Sequence, residues 1–211
     1  VHIHIIDAEL MGKGEKEKKD LYIEGVQNNG IINHYEYIIN SEGTIEIRHV
    51  LKPEGKMPLW FPRIGLTLTV SDALDQVKWY GRGPQENYPD RKTGYPMGIY
   101  ASTVQAMYEP YLMPQDYGLR TDVRWLQLTT DKGIGLQFKM NEWFNFNIYP
   151  YSTDNLTKAM YTYQLQKQKG MTLNLDYATT GVGCTARGVF GAYKAMPQEY
   201  RRTISIRPMM K

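Results

Sequence analysis

Ile64-Gly65-Leu66-Thr67-Leu68-Thr69-Val70 decides the fold class. Its apolar residues fall at every second position, with glycine and threonine between them. A repeat of two places Ile64, Leu66, Leu68 and Val70 on one face of an extended chain, as a strand buried on one side requires. The same alternation recurs outward in both directions. His2-Ile3-His4-Ile5, Tyr35-Glu36-Tyr37-Ile38 and Thr44-Ile45-Glu46-Ile47-Arg48 carry it toward the N-terminus. Further strands are predicted at 77–80, 123–129, 134–140, 143–149, 171–177 and 202–207. Asn28-Asn29-Gly30 and Ser41-Glu42-Gly43 read as hairpin turns. Helical periodicity is almost absent. One short helix is predicted at 153–159, capped by Thr153 or Asp154. About ten short strands separated by turns predict an all-β chain folded as a large antiparallel β-sandwich.

Composition agrees with that reading. The chain has 17 tyrosines, and aromatic side chains fit a pleated surface. Tyrosine also joins an apolar face to a polar tip, which suits sugar contact as well as sandwich packing. A length of 211 residues suits one domain, and no linker divides residues 1–211; the weakest boundary is near 53–58. The net charge is only +3, and the one basic cluster, Lys13 to Lys19, alternates with Glu15 and Glu17. That pattern is a solvated loop and predicts no nucleic-acid partner. No apolar run approaches the ~20 residues that span a bilayer, so no membrane partner is expected. The single cysteine, Cys184, rules out an intrachain disulfide but does not fix the compartment. With no signal peptide visible, the chain reads as a fragment of a longer protein, cytoplasmic or periplasmic in a bacterium.

The densest chemistry lies in Gly81-Arg82-Gly83-Pro84-Gln85-Glu86-Asn87-Tyr88-Pro89-Asp90-Arg91, which leaves the strand-like run Val77-Lys78-Trp79-Tyr80. Glycine and proline set the shape of such a turn. Arg82, Glu86, Asp90 and Arg91 can cross-link it by charge-assisted bonds. It is either a rigid structural corner or a polar binding surface. Residues 84–122 that follow are poor in strand signal and repeatedly broken by proline, as in a segment ordered by packing near an interface or site.

Residues 79–91 resemble, without a gap, a signature of the C-terminal small-chain domain (domain 5) of glycoside hydrolase family 2 β-galactosidases. Leu59-Trp60-Phe61-Pro62-Arg63-Ile64-Gly65-Leu66, the block Pro110 to Trp125, and Gly181-Val182-Gly183 resemble further family blocks in the family's order. The resemblance implies a β-sandwich of the supersandwich kind, similar to galactose mutarotase. It also implies a non-catalytic domain that walls the active site of an enzyme hydrolysing terminal β-galactosides, binds carbohydrate weakly and stabilises assembly. The catalytic glutamates would lie in a separate (β/α)8 barrel, which with the other domains of the parent enzyme and its carbohydrate substrate makes up the expected partners. A homo-oligomer is compatible with this reading. No cofactor and no metal are expected. A free-standing carbohydrate-binding module and an aldose 1-epimerase-like enzyme are the alternatives.

Two departures from the family pattern matter. Where the family runs Ala-x-His-x-x-Glu-Leu, this chain has Ala159-Met160-Tyr161-Thr162-Tyr163-Gln164-Leu165, which removes both ionisable side chains an epimerase would need. After the late glycine pair, the resemblance implies a polar loop with a tryptophan, which in many members packs on the sugar. Here the loop reads Cys184-Thr185-Ala186-Arg187-Gly188-Val189-Phe190, without it. Arg187 and Phe190, with Cys184 and Thr185 beside them, are therefore the candidate substrate-binding residues; the other reading is a simple turn. Nothing nearby makes Cys184 a reactive thiol. His2 and His4 share a strand face and would need a third ligand to hold a metal. The plainer reading is ordinary surface histidines on a strand.

Overall fold

The computed structural model describes residues 4–5, 30–184 and 188–210; for 4–5 only the backbone is described. The period-two sequence becomes strands in which burial alternates. In chain order these are β1 (His4–Ile5), β2 (Gly30–Ile39), β3 (Ile45–Glu54), β4 (Arg63–Val70), β5 (Gln76–Arg82), β6 (Met97–Thr103), β7 (Arg120–Thr129), β8 (Gly135–Tyr149), β9 (Met171–Thr179) and β10 (Tyr200–Met209). Among the described residues one α-helix, α1 (Thr153–Lys158), interrupts them. All neighbouring strands pair antiparallel. Among the described residues, no helix is long and apolar enough to cross a membrane.

β8 organises the sandwich. It is 15 residues long and serves two layers. Its first half lies between β7 and β10, with Phe138 opposite both Leu126 and Ile206. Its second half leaves β10 and pairs with β9, from Asn145 opposite Asp176 to Tyr149 opposite Thr172. One layer therefore runs β6-β5-β7-β8-β10-β3-β2, and the other runs β8-β9-β4-β1. The core draws Leu66 and Leu68 from β4, Trp79 from β5, Leu126 from β7, Phe138 and Phe146 from β8, Leu173 from β9 and Ile204 from β10.

Strand β9 is buried on both faces. Met171, Leu173 and Leu175 enter the apolar core, while Thr172, Asn174 and Asp176 face a polar layer with almost no access to water. There Arg63 Nη2 reaches Asp176 at 2.6 Å and Asn147 at 3.1 Å. Asn147 in turn donates to Asp116 and to the Tyr117 carbonyl. Burial pushes the Asp176 carboxyl up to about 6, against the pull of the adjacent Arg63 guanidinium. Another buried ionisable group is His49, hydrogen-bonded to Tyr177 at 2.7 Å and Asn33 at 2.9 Å and stacked on Tyr35. Burial pushes its imidazole down to about 4, so it stays neutral near pH 7.

Three local expectations differ from the structure. Segments 134–140 and 143–149 form one continuous β8, because Asn141 and Glu142 do not break the extended chain. Residues 84–122 contain a strand, β6, whose Gly98, Ala101 and Ser102 carry little β signal; pairing with β5 supplies what propensity does not. α1 is capped by Ser152, whose hydroxyl accepts from Asn155 N at 3.0 Å, rather than by Thr153 or Asp154. The expected Ser41-Glu42-Gly43 hairpin turn does join β2 to β3, with Gly43 at φ +76; Asn28 and Asn29 lie outside the described residues.

Candidate functional site

The corner begins where β5 ends. The Trp79 indole N–H donates to the Arg82 carbonyl at 3.0 Å and pulls the chain back under the sheet. The Gly83–Pro84 bond is cis, and a Cβ at Gly83 would lie 2.8 Å from the Tyr100 ring, so only glycine fits. Asn87 then ties the corner to β7: its N–H donates to the Leu119 carbonyl at 2.8 Å, and its Oδ1 accepts from Thr121 N at 3.1 Å.

Glu86 is the hub, with only 5% of its surface exposed. Its carboxylate accepts from Gly118 N at 2.9 Å, Arg91 Nη2 at 2.8 Å, the Tyr88 hydroxyl at 3.2 Å and the Tyr111 hydroxyl. Burial by itself would raise its pKa. The four donors outweigh burial and hold the carboxyl below its ordinary range.

Arg82 turns away from Glu86 and Asp90. Its Nε donates to Asp122 at 2.6 Å, and Nη1 reaches the carbonyls of Lys92 and Tyr95. Lys92 binds the same carboxylate at 2.9 Å. Asp122 reaches both cations because the β7–β8 register slips on either side of Val123, and Asp122 itself stands at φ +56. A bulge of this kind re-aims a side chain, and aspartate tolerates the left-handed region better than most residues. Asp122 lies within the Pro110 to Trp125 block, but nothing in the sequence pairs it with Arg82. Among the described residues, Arg120 and Arg124 take no carboxylate partner; their guanidinium groups lie over the rings of Trp79 and Trp143 at 5.4 and 3.9 Å.

Asp90 joins the corner to the late glycine turn. Its two carboxylate oxygens accept from Val182 N at 3.1 Å and Gly183 N at 2.7 Å. A Cβ on Gly181 would land on that carboxylate, so the position demands glycine. The base of the turn is closed by Gly181 N to the Tyr193 carbonyl at 2.8 Å. It is rooted on the 59–62 block: the Thr180 hydroxyl donates to the Phe61 carbonyl at 2.6 Å, and Phe61 N donates to the Ala195 carbonyl at 2.9 Å. Lys194 Nζ lies 5.5 Å from the centre of the Trp60 ring.

This end of the molecule presents apolar surface. Phe190 is 67% exposed, and Leu59, Val182, Tyr193 and Met196 are exposed as well. Cys184 is an exposed free thiol. Thr185 and Arg187 lie outside the described residues, as do the side chains of His2 and His4. Among the described residues, no group of three His, Cys, Asp or Glu side chains could hold a metal ion. The site can offer aromatic faces and an anchored turn. Both carboxylates next to it are already occupied by protein donors.

The description "Beta galactosidase small chain" fits residues 7–206 of this chain. The chain is 38% identical over 147 residues to a β-galactosidase of Priestia megaterium (strain DSM 319 / IMG 1521), covering 70% of this chain and 14% of that protein. It is 39% identical over 122 residues to a β-galactosidase of Vibrio cholerae serotype O1, covering 58% and 11%. It is 34% identical over 148 residues to one from Pseudoalteromonas haloplanktis, covering 70% and 14%. The chain thus spans about a seventh or less of the curated relatives it matches. With the match running from residue 7 to residue 206, it belongs to the β-galactosidase small-chain family.

Proposed function

We propose that residues 1–211 act as one non-catalytic unit of a glycoside hydrolase family 2 β-galactosidase that cleaves terminal β-galactosides. The unit walls the active site formed elsewhere in the parent enzyme, contacts the sugar weakly and stabilises assembly. The observation that carries this reading is the use of the corner's carboxylates. Glu86 is spent on four donors and Asp90 on two backbone N–H groups, while Phe190 stands exposed on the turn that Asp90 holds. A glycosidase needs two carboxyl groups free to face a scissile bond. The corner instead reads as a bracket that aims the 181–193 turn at a neighbouring domain.

The epimerase alternative loses support at Gln164. Its side chain accepts from the backbone of Met160 and Tyr161, a local cap rather than an acid or base. The test is complementation. The purified chain alone should leave a nitrophenyl β-galactoside uncleaved, and adding it to a parent β-galactosidase that lacks this region should restore turnover. Cleavage by the chain alone, or restoration that never occurs, would overturn the proposal.

A further inference from the structure

A second feature lies away from the glycine turn and uses none of its residues. The segments after β6 and β8 enclose a cavity of about 170 Å³, whose walls include Tyr108, Tyr117, Tyr151, Gln105, Thr162 and Lys167. It adjoins a small aromatic cluster in which Tyr117 meets Tyr108 edge-on at 5.3 Å and Tyr149 at 5.4 Å. Tyr117 is 2% exposed, and its buried hydroxyl has no hydrogen-bond partner among the described residues. A buried hydroxyl without a partner costs about 1–3 kcal/mol, so native proteins rarely keep one without a use.

The loop beside this cavity is unusual too. Thr162 lines the cavity, and its neighbours in the chain, Tyr161 and Tyr163, are 57% and 79% exposed. Their rings stack 5.5 Å apart, with planes within 7°. The loop is held in place: Gln164 Oε1 accepts from Met160 N at 2.7 Å and Tyr161 N at 3.1 Å, and Asn155 Oδ1 accepts from Gln166 N at 2.8 Å. Two stacked aromatic rings fixed in water by a tied loop form a binding surface more readily than a packing one.

We propose that this tyrosine cavity and the Tyr161–Tyr163 pair form an accessory saccharide site, taking one neutral pyranose in the cavity and a following unit over the exposed rings. The lining chemistry selects the class. No carboxylate lines the cavity, which removes a metal ion or an amine as the preferred ligand. The volume lies below the ~300 Å³ at which drug-sized pockets begin, so it admits a single ring rather than a nucleotide or a long chain. Tyrosine rings offer flat apolar faces to the C–H side of a pyranose. Their hydroxyls, the Gln105 amide, the Thr162 hydroxyl and the Lys167 ammonium offer bonds to its O–H groups. Burial holds the Tyr117 phenol above its ordinary pKa, so it remains a proton donor at neutral pH.

The experiment is a titration of the purified chain, followed by NMR, with methyl β-galactopyranoside, methyl β-glucopyranoside, lactose and phenol. A glycoside should bind with a dissociation constant in the millimolar range, about −4 kcal/mol. Tyr117→Phe should weaken it roughly five- to tenfold while leaving thermal stability unchanged or raised, because only an unpaired hydroxyl is lost. Tyr163→Ala should weaken lactose about tenfold and spare the monosaccharides, and Ile39→Ala, at the exposed end of β2, should change nothing. No saccharide binding at about 50 mM, far above that range, would overturn the site. So would phenol binding more tightly than every glycoside, or affinity that Phe190→Ala removes and Tyr117→Phe spares.

Discussion

The corner at residues 79–92 and the turn at 181–193 touch through one carboxylate, yet they are built in opposite ways. In the corner Arg82, Glu86, Asn87 and Asp90 all take protein partners, and the central side chain, Glu86, is nearly dry. In the turn, Val182, Phe190 and Tyr193 face water, and the backbone at 180–183 is held by Asp90 and by the 59–62 block. The first region stores stability and the second presents surface. A surface element that must sit in a fixed place does not need its own core if a rigid neighbour holds its backbone.

The largest expected effect comes from removing the hub. Glu86→Ala leaves Gly118 N–H and the hydroxyls of Tyr88 and Tyr111 without their acceptor. At about 1–3 kcal/mol for a buried group left unpaired, the loss should be on the order of 3 kcal/mol. For a chain of this size, that lowers the Tm by roughly 10 °C. The acid dependence sharpens the point. A carboxyl whose pKa is depressed in the folded state stabilises it above the unfolded pKa, and that contribution is lost as pH falls through the folded value. The stability difference between wild type and Glu86→Gln should therefore shrink on acidification below about pH 4, close to an ordinary glutamate. In that difference the other titrating groups cancel. A constant gap down to acid pH would show that Glu86 is not held ionised.

Next in size is Gly181→Ala, which attacks the joint between the two regions. The new methyl group must displace the Asp90 carboxylate, at a cost of about 1–3 kcal/mol for overpacking. Hydrogen exchange at Val182 and Gly183 should speed up more than exchange at Asn87 and Gly118. Equal acceleration in both places would mean that turn and corner are one cooperative unit.

Arg91→Ala should matter less than its place in the sequence suggests. The Arg91 side chain is 48% exposed, and Glu86 keeps three other donors. An exposed pair contributes at most about 1 kcal/mol, so the Tm should fall by about a third of the Glu86→Ala shift or less. An equal fall would move the weight of the corner from the neutral donors to the ion pair.

These contrasts mark how far the sequence can be read. Strand β4 was legible because one face meets the core and the other does not, which writes a period of two into Ile64 to Val70. Strand β6 was not, since its neighbours rather than its residues make it extended. In the corner, the residue types were legible but the partners were not. Arg82 meets Asp122, forty positions away, through a register slip that no spacing rule contains. Tyr111 reaches Glu86 from a segment with no strand signal. The buried polar face of β9 was hidden for a similar reason. Thr172, Asn174 and Asp176 look like the solvent side of a strand until Arg63 and residues 116–117 cover them.

The smallest effect on stability, and the most telling for function, belongs to Phe190. At 67% exposure its ring contributes little to the fold, so Phe190→Ala should leave unfolding within about 0.5 kcal/mol of wild type. In the parent enzyme the same change should cost roughly tenfold in kcat/KM if the ring packs on the sugar, as an apolar contact of about 1–3 kcal/mol implies. A loss in KM with kcat preserved would assign Phe190 to ground-state binding, and a loss in kcat to the transition state. A parent enzyme that lost thermal stability but kept its kinetics would place Phe190 against another domain instead. Wild-type values for stability and kinetics alike would leave the turn without a role in substrate contact, and the difference between corner and turn would then be one of packing alone.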